Sequence, residues 1–175
     1  MMKFKKFTQM PNKIESRVLG IDPGYGRVGI AVLENQKLIH SECFETSNEI
    51  SHSERLALIA DKIDQVIKKW RPVRMGLETL LFSKNVKTAL KVAEARGVIL
   101  SVAAQKKVEI VELNPNQVKV AITGYGKSDK KKIIMMLEKI LNIKKKIKFD
   151  DEYDAIAIAL TTSVVHINNK KVFAK

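Results

Sequence analysis

Four acidic residues stand where a folded chain seldom leaves a charge without a partner. They are Asp22, Glu78, Asp151 and Asp154. The first two each end a predicted buried strand, and the other two stand three apart at the start of a predicted helix, so they share one helix face. Together, carboxylates at two strand ends and on one helix turn can converge on two divalent cations. Such a pair activates water and stabilises the attacking and leaving oxygens in phosphodiester cleavage.

Taken singly, most of these acids have an ordinary explanation. Asp22 precedes Pro23 and would suit a turn, and Glu78 would be a solvated strand end. Asp151 would be stabilised by the dipole of its helix. Asp154 is the hardest to explain in this way, because the apolar run 155–160 follows it directly. The hypothesis of a metal centre therefore depends on the four acids as a set. Hard oxygen ligands of this kind favour Mg²⁺, with Mn²⁺ able to substitute, and two ions are expected.

A glycine pattern near Asp22 suggests a different function and is rejected. Residues 24–29, GYGRVG, match the G-x-G-x-x-G motif of dinucleotide-binding folds. That motif requires a helix directly after it, whereas VGIAVLE at 28–34 alternates and is rich in β-branched residues, as in a strand. We therefore expect these glycines to serve a tight hairpin and expect no nucleotide cofactor.

Hydrophobic periodicity predicts an α/β fold with a five-stranded mixed sheet and helices packed around it. The predicted strands are 17–22, 28–33, 37–44, 73–78 and 108–113. The predicted helices begin at caps Ser51 or Ser53, Asn114, Ser128, and Asp150 or Asp151, and a further helix covers about 84–104. Short gaps between the first three strands predict an antiparallel meander. The helix over 84–104 is apolar around much of its circumference, so we expect it to have a second packing partner.

Composition limits the class of protein. The chain has 175 residues and a net charge of +13, which attracts polyanions such as nucleic acid, although a lysine-rich solvated surface would look the same. No apolar run is long enough to span a membrane. The single cysteine excludes an internal disulfide and zinc sites built on cysteine pairs, and favours an intracellular, cytoplasmic protein. We expect a basic extension over 1–16, one domain over 17–167 and a tail over 168–175.

Four blocks of this sequence resemble the RuvC family of Holliday junction resolvases, in the family's order. They are LGIDPG at 19–24 with GIA at 29–31; Glu78 with Phe82, Lys84, Asn85 and EARG at 94–97; Pro115, Val118, Lys119 and TG at 123–124; and Asp151 with DAIAIA at 154–159. The resemblance spans about 17–165. It implies a ribonuclease-H-like fold with helices on both faces of the sheet. The first sixteen residues precede the usual family start, and Glu152-Tyr153 is bulkier than the family's usual pair.

The resemblance also implies roles for individual residues. Asp22, Glu78, Asp151 and Asp154 would be the catalytic, metal-binding acids. Lys119 and Lys130 would contact DNA near the active site. Lys84 and Asn85 would belong to the DNA-binding segment, where either Leu81 or Phe82 would stack on bases at the crossover. The implied activity is Mg²⁺-dependent cleavage of four-way DNA junctions in recombination and repair, leaving a 5′-phosphate and a 3′-hydroxyl. The implied assembly is a homodimer paired through the helix around 84–104, acting with a branch-migration motor in some members.

Three alternatives remain at this point. A YqgF-type ribonuclease-H-like nuclease that acts on RNA shares the GIDPG start, but EARG and the D-x-x-D-A ending favour RuvC. A non-catalytic junction-binding protein would have no use for an acidic centre facing phosphates. An actin-like ATPase would need two lobes and a second phosphate loop, for which the chain is too short.

Overall fold

A computed structural model describes residues 17–79 and 86–165, and for residues 86–88 it describes the backbone only. Five strands and five helices lie within these ranges: β1 (Arg17–Asp22), β2 (Arg27–Glu34), β3 (Lys37–Glu45), α1 (His52–Trp70), β4 (Arg74–Glu78), α2 (Val86–Gln105), β5 (Glu109–Leu113), α3 (Pro115–Thr123), α4 (Lys130–Leu141) and α5 (Asp150–Val164). The strand and helix predictions are confirmed to within two or three residues where they fall in these ranges. The expected boundaries at 1–16 and 168–175 lie outside them.

The strands form one mixed sheet in the order β3-β2-β1-β4-β5. β1, β2 and β3 pair antiparallel, whereas β4 lies parallel to both β1 and β5. Asn35 and Gln36, both with positive φ (48° and 62°), close the β2–β3 hairpin, as a tight two-residue turn requires. The predicted five-stranded mixed sheet is thus confirmed, and so is the strand after the glycine motif that excluded a dinucleotide fold.

Helices cover both faces of the sheet, as predicted. α1 and α2 pack on one face, where Ile59, Ile63 and Ile99 meet Leu19 and Ile21 of β1. The second core lies on the opposite face and is formed mainly by α5, with α3 and α4 outside it. α5 is buried from Ala155 to Thr162, because it lies between the sheet and the outer helices.

Two helix caps agree with the sequence and two correct it. Ser51 caps α1 in a capping box with Glu54, and Asn114 does the same for α3 with Gln117. Asp129, not Ser128, caps α4, because the Ser128 hydroxyl is instead hydrogen-bonded to the Thr123 hydroxyl at 2.7 Å.

The second correction concerns α5, whose N-cap is Phe149 without a side-chain cap. Asp150 and Asp151 both lie inside the helix. Their carboxylates pair with Lys130 and Arg27 and do not turn back to the helix N–H groups. The first turn of α5 is therefore shaped by contacts to other elements, which a local capping pattern does not include.

Among the helices of 17–79 and 86–165, none combines the length and the apolar character that crossing a membrane would require.

Candidate active site

The two strand-end acids are neighbours across the parallel β1–β4 pair. Ile21 lies opposite Leu77 in the register, so Asp22 and Glu78 follow at the same edge of the sheet. Both are buried inner strands of the sheet, so the positions of their last residues are fixed by the pairing on either side. Both acids end strands, as predicted, and the register shows that these two strands are neighbours.

Glycines let α5 bring its own acids to that edge. A Cβ on Gly20 would stand 2.3 Å from the Ala155 carbonyl oxygen, and one on Gly29 would stand 1.9 Å from that of Asp151. Side chains at these positions would push the helix away from the sheet. With glycine in both strands, the helix backbone rests directly on β1 and β2, and its first turn reaches the end of β1.

The four carboxylates interact at this edge. Burial, and after it the charges of Asp154, Glu78 and Asp151, raise the pKa of Asp22 from 3.8 to about 7, against an opposing effect of Lys130. Burial and then the Asp154 charge also raise the pKa of Glu78. Mutual influence of this kind requires short separations in a poorly solvated region. The four predicted acids are thus brought together electrostatically.

Lys130 is the principal cation of the cluster. Its ammonium donates to the Asp154 carboxylate at 2.8 Å and lies 3.2 Å from that of Asp150. Burial nevertheless keeps the pKa of Asp154 above its usual value. The charge of Lys119 partly offsets the rise that burial and Asp154 cause in the pKa of Glu78. Lys119 also lines a cleft of about 130 Å³ together with Glu78 and Asp154. Both lysines singled out from the sequence therefore border the acids.

Two arginines that the sequence analysis missed also support the cluster. The Arg27 guanidinium lies 3.1 Å from the Asp151 carboxylate. Arg96 on α2 donates from Nε to the backbone carbonyl of Glu78 at 3.3 Å and pairs through Nη2 with Glu112. Arg96 thus fixes the end of β4, where Glu78 stands. The arginine of the EARG block was the available signal, but its partners are distant in sequence.

The donor set fits a divalent cation in its chemistry. Carboxylate oxygens are the ligands that Mg²⁺ and Mn²⁺ prefer. Burial and the neighbouring carboxylates raise the pKa of Asp22, and the charge of a bound divalent cation would offset both effects. In the part of the chain that the structure describes, no three His, Cys, Asp or Glu side chains are already grouped as metal ligands. Asp151 and Asp154 are turned to Arg27 and Lys130 instead, so metal binding would require rotation of these carboxylates.

The remaining predicted site residues are Leu81, Phe82, Lys84 and Asn85, and they lie outside the described residues. They follow Thr79, directly after the strand that carries Glu78.

Three antiparallel strands, two parallel strands reached through crossover helices, and acids at the central strand ends define the ribonuclease-H-like class of nuclease fold. The family model described as "Crossover junction endodeoxyribonuclease RuvC" matches residues 18–162. The chain therefore belongs to the RuvC family.

Similar proteins agree with this assignment. The chain is 41% identical to the RuvC of Fusobacterium nucleatum over 157 residues, which cover 87% of this chain and 80% of the relative. It is 42% identical to that of Thermosipho melanesiensis over 152 residues, covering 85% and 97%. Among solved structures, Thermus thermophilus RuvC in complex with a Holliday junction substrate has a TM-score of 0.80 at 31% identity, covering 85% and 93%. The yeast mitochondrial resolvase Ydc2 (TM-score 0.61, 16% identity, covering 84% and 77%) shares the fold.

Proposed function

We propose that this chain is a structure-selective endonuclease that resolves four-way (Holliday) DNA junctions. The observation that carries the proposal is the convergence of Asp22, Glu78, Asp151 and Asp154 at one edge of the sheet in a chain of the RuvC family. The Thermus RuvC at 31% identity was solved on a Holliday junction, which supports the same substrate here.

In this proposal the four acids hold two Mg²⁺ ions, for which Mn²⁺ can substitute. When bound, the ions supply an activated water and stabilise the oxygens that gain charge during phosphodiester cleavage. The side chains of the protein prepare that site. Asp22 interacts with the acids of both β4 and α5, and would hold the ions together with them. Glu78 and Asp154 line the cleft into which a phosphate would fit.

The lysines around the acids have a separate role. Lys130 holds the Asp154 carboxylate in place, and its charge together with that of Lys119 attracts the DNA backbone to an otherwise repulsive acidic centre. If a cation took over the Asp154 carboxylate, the Lys130 ammonium would be available to a phosphate oxygen. We also propose that Lys84 and Asn85 contact DNA and that Leu81 or Phe82 stacks on bases at the crossover. In the sequence they follow β4, the strand that carries Glu78.

A symmetric homodimer would match the two-fold symmetry of a junction in which two strands are cut. We place the dimer contact on α2. Ala95, Ile99 and Ala103 are buried against the protein's own core, whereas Leu90 is 60% exposed and a Cβ on Gly97 would contact nothing. The exposed side of the helix thus combines a large apolar side chain, Leu90, with a glycine that a partner can approach closely, and Glu94 lies between them. The proposal further includes a cytoplasmic location and, as a partner, a branch-migration motor.

Cleavage of a labelled synthetic four-way junction tests the function. Linear duplex and an RNA–DNA hybrid serve as comparison substrates, each with Mg²⁺ and with EDTA. We expect paired, metal-dependent nicks near the crossover. Asp154→Asn should keep junction binding. Its cleavage rate should fall by more than the roughly 10–100-fold that is typical when a residue supporting a metal ligand is replaced.

The matched control is Asp150→Asn, which removes a carboxylate from the same helix turn and the same lysine but is 68% exposed at its side chain. It should cut nearly as well as the wild type. Tight junction binding without cutting under any metal would indicate a non-catalytic binding protein. Activity only on RNA-containing substrates would indicate the YqgF type instead.

A further inference from the structure

A second basic segment borders the active site on the side away from Lys119 and Lys130. The loop between α4 and α5, residues 142–149, carries Lys144, Lys145, Lys146 and Lys148, all of them exposed. It runs past the edge strand β3, whereas Lys119 and Lys130 lie on α3 and α4. The acids are thus flanked by positive charge on two sides.

One of the four lysines anchors the loop. The Lys145 ammonium donates to the Ser41 carbonyl oxygen of β3 at 2.7 Å and to the carboxylate of Glu152. Ser41 Oγ donates to the same carboxylate at 2.8 Å, and Glu152 is only 8% exposed. A buried carboxylate needs such partners, so the pairing holds the loop against β3 and the first turn of α5. Lys145 is consequently engaged within the protein.

The other end of the loop reaches the catalytic cluster through Phe149. The Lys148 ammonium lies 4.4 Å and the Arg27 guanidinium 4.8 Å from the centre of the Phe149 ring. Arg27 in turn lies 3.1 Å from the carboxylate of Asp151. Contacts of this type orient cations on an aromatic face. Positive charge therefore continues from the loop up to one of the proposed metal ligands.

We propose that Lys144, Lys146 and Lys148, here called the lysine ridge, bind the sugar–phosphate backbone of a DNA arm that leaves the active site over β3. Within 17–79 and 86–165 these three lysines form no ion pair with a carboxylate, so their charges are available to an external anion. DNA phosphates fit because the ridge is a line of exposed point charges without the planar forks or pockets that base recognition requires. The inference rests on the proposed function and extends its DNA surface beyond Lys119 and Lys130.

The test measures junction binding in EDTA by fluorescence anisotropy between 50 and roughly 300 mM KCl, a range in which phosphate contacts dominate the salt dependence. The triple variant Lys144→Ala/Lys146→Ala/Lys148→Ala is compared with Lys37→Ala/Lys68→Ala/Lys69→Ala. The control lysines are also exposed and give the same change of charge, but lie toward the end of the sheet opposite Asp22. The slope of log K against log[KCl] is negative, and each lost phosphate contact makes it less steep by about 0.9.

We expect the ridge variant to lose roughly 2–3 from the slope and the control variant to keep the wild-type slope. Lys145→Ala should keep the slope but melt at a lower temperature, because the buried carboxylate of Glu152 would lose its cationic partner. An unchanged slope in the ridge variant, or an equal loss in both triple variants, would overturn the inference. Failure of the wild type to bind junctions at all would instead overturn the proposed function.

Discussion

Asp22 has a carboxyl group that the fold holds in an unfavourable environment. Burial, and after it three neighbouring carboxylates, together raise its pKa to about 7. Because the folded-state pKa exceeds the value of 3.8 for the free group, ionisation favours unfolding. The cost begins as the pH rises above about 3.8, grows until about 7 and is then constant. A divalent cation would remove this cost.

We predict that Asp22→Asn stabilises the metal-free protein. The shift from 3.8 to about 7 sets an upper limit on the order of 4 kcal/mol, since one pKa unit corresponds to about 1.4 kcal/mol. In EDTA, the melting temperature of the variant should exceed that of the wild type by a margin that widens from pH 4 to 7 and then levels off. Thermal melts across this range measure it. An equal or lower melting temperature for the variant at pH 8 would contradict the burial of this charge.

Addition of Mg²⁺ gives the complementary measurement. A ligand that binds only the folded state raises its stability, so the wild type should melt higher with Mg²⁺ than with EDTA. The amide group that replaces the carboxylate in Asp22→Asn carries no charge, so the gain should largely disappear in that variant. Asp150→Asn is again the control and should respond to Mg²⁺ as the wild type does.

The positions of the four acids on the elements could be predicted from the sequence, but their supporting residues could not. Asp22 and Glu78 end recognisable strands, and Asp154 directly precedes the apolar run 155–160, so local patterns placed them, whereas the catalytic role was implied by the four acids as a set and by the family resemblance. Arg27 and Arg96 act through Asp151 and the Glu78 carbonyl, which are distant in sequence. The pairing of such residues depends on how α2 and α5 are placed on the sheet, and that information is not local.

At the scale of elements, the close contact of α5 with the sheet positions half of the acidic cluster. Gly20, Gly29 and Gly76 each lie under this helix, and a Cβ on Gly76 would stand 1.9 Å from the Thr162 hydroxyl. From their pattern in the sequence, the glycines of 24–29 are predicted to serve a tight hairpin. That fits Gly24, where a Cβ would collide with the Arg27 carbonyl, but Gly29 faces Asp151. Helix contact is invisible in the sequence because it involves residues far apart along the chain.

We predict that Gly20→Ala is strongly destabilising. Its Cβ would stand 2.3 Å from the Ala155 oxygen and 2.4 Å from the Ala159 nitrogen, both backbone atoms that cannot move without shifting α5. A cost of about 3 kcal/mol or more is expected from overpacking of this kind. In a chain of this size that lowers the melting temperature by roughly 6–12 °C.

Gly97→Ala provides the matched control for Gly20→Ala. A Cβ on Gly97 would meet no atom within 4 Å, and the residue lies inside α2, where alanine is favoured over glycine by roughly 0.5–1 kcal/mol. This variant should melt at the same or a slightly higher temperature. Equal melting temperatures for the two variants would show that α5 does not depend on its direct contact with β1.

At the scale of the whole molecule, the sequence predicted the elements in chain order, the antiparallel meander and a mixed sheet, whereas the position of β4 between β1 and β5 comes from the structure. Short links between the first three strands and helical links between the later ones determine which pairs are antiparallel and which are parallel. The net charge of +13 was ambiguous by itself. The structure gives it a pattern, since Lys119, Lys130 and the lysine ridge lie on two sides of the acids, but this distribution depends on the fold.

The exposed side of α2 leads to a prediction about assembly. Leu90 is 60% exposed, and Gly97 lies two helical turns along the same side. If this side forms the proposed symmetric interface, each dimer contains two copies of Leu90 near the contact, and Leu90→Glu would place two like charges there. We therefore expect Leu90→Glu to be a monomer by analytical ultracentrifugation under conditions where the wild type is a dimer. Leu58→Glu on α1, where the leucine is 43% exposed, should leave the wild-type state unchanged.

Cleavage of a supercoiled plasmid with an extruded cruciform connects this assembly to the reaction. Paired cuts by a dimer linearise the plasmid, whereas independent cuts by monomers leave nicked circles. Arg96 of α2 holds the Glu78 carbonyl of the same chain, so this contact does not depend on dimer formation. The acidic site of a monomer should therefore stay intact, and the monomer should still nick DNA. We expect Leu90→Glu to yield mainly nicked circles and the Leu58→Glu control to yield linear product. Linear product at the wild-type rate from a monomeric Leu90→Glu would mean that paired cutting does not depend on α2 pairing.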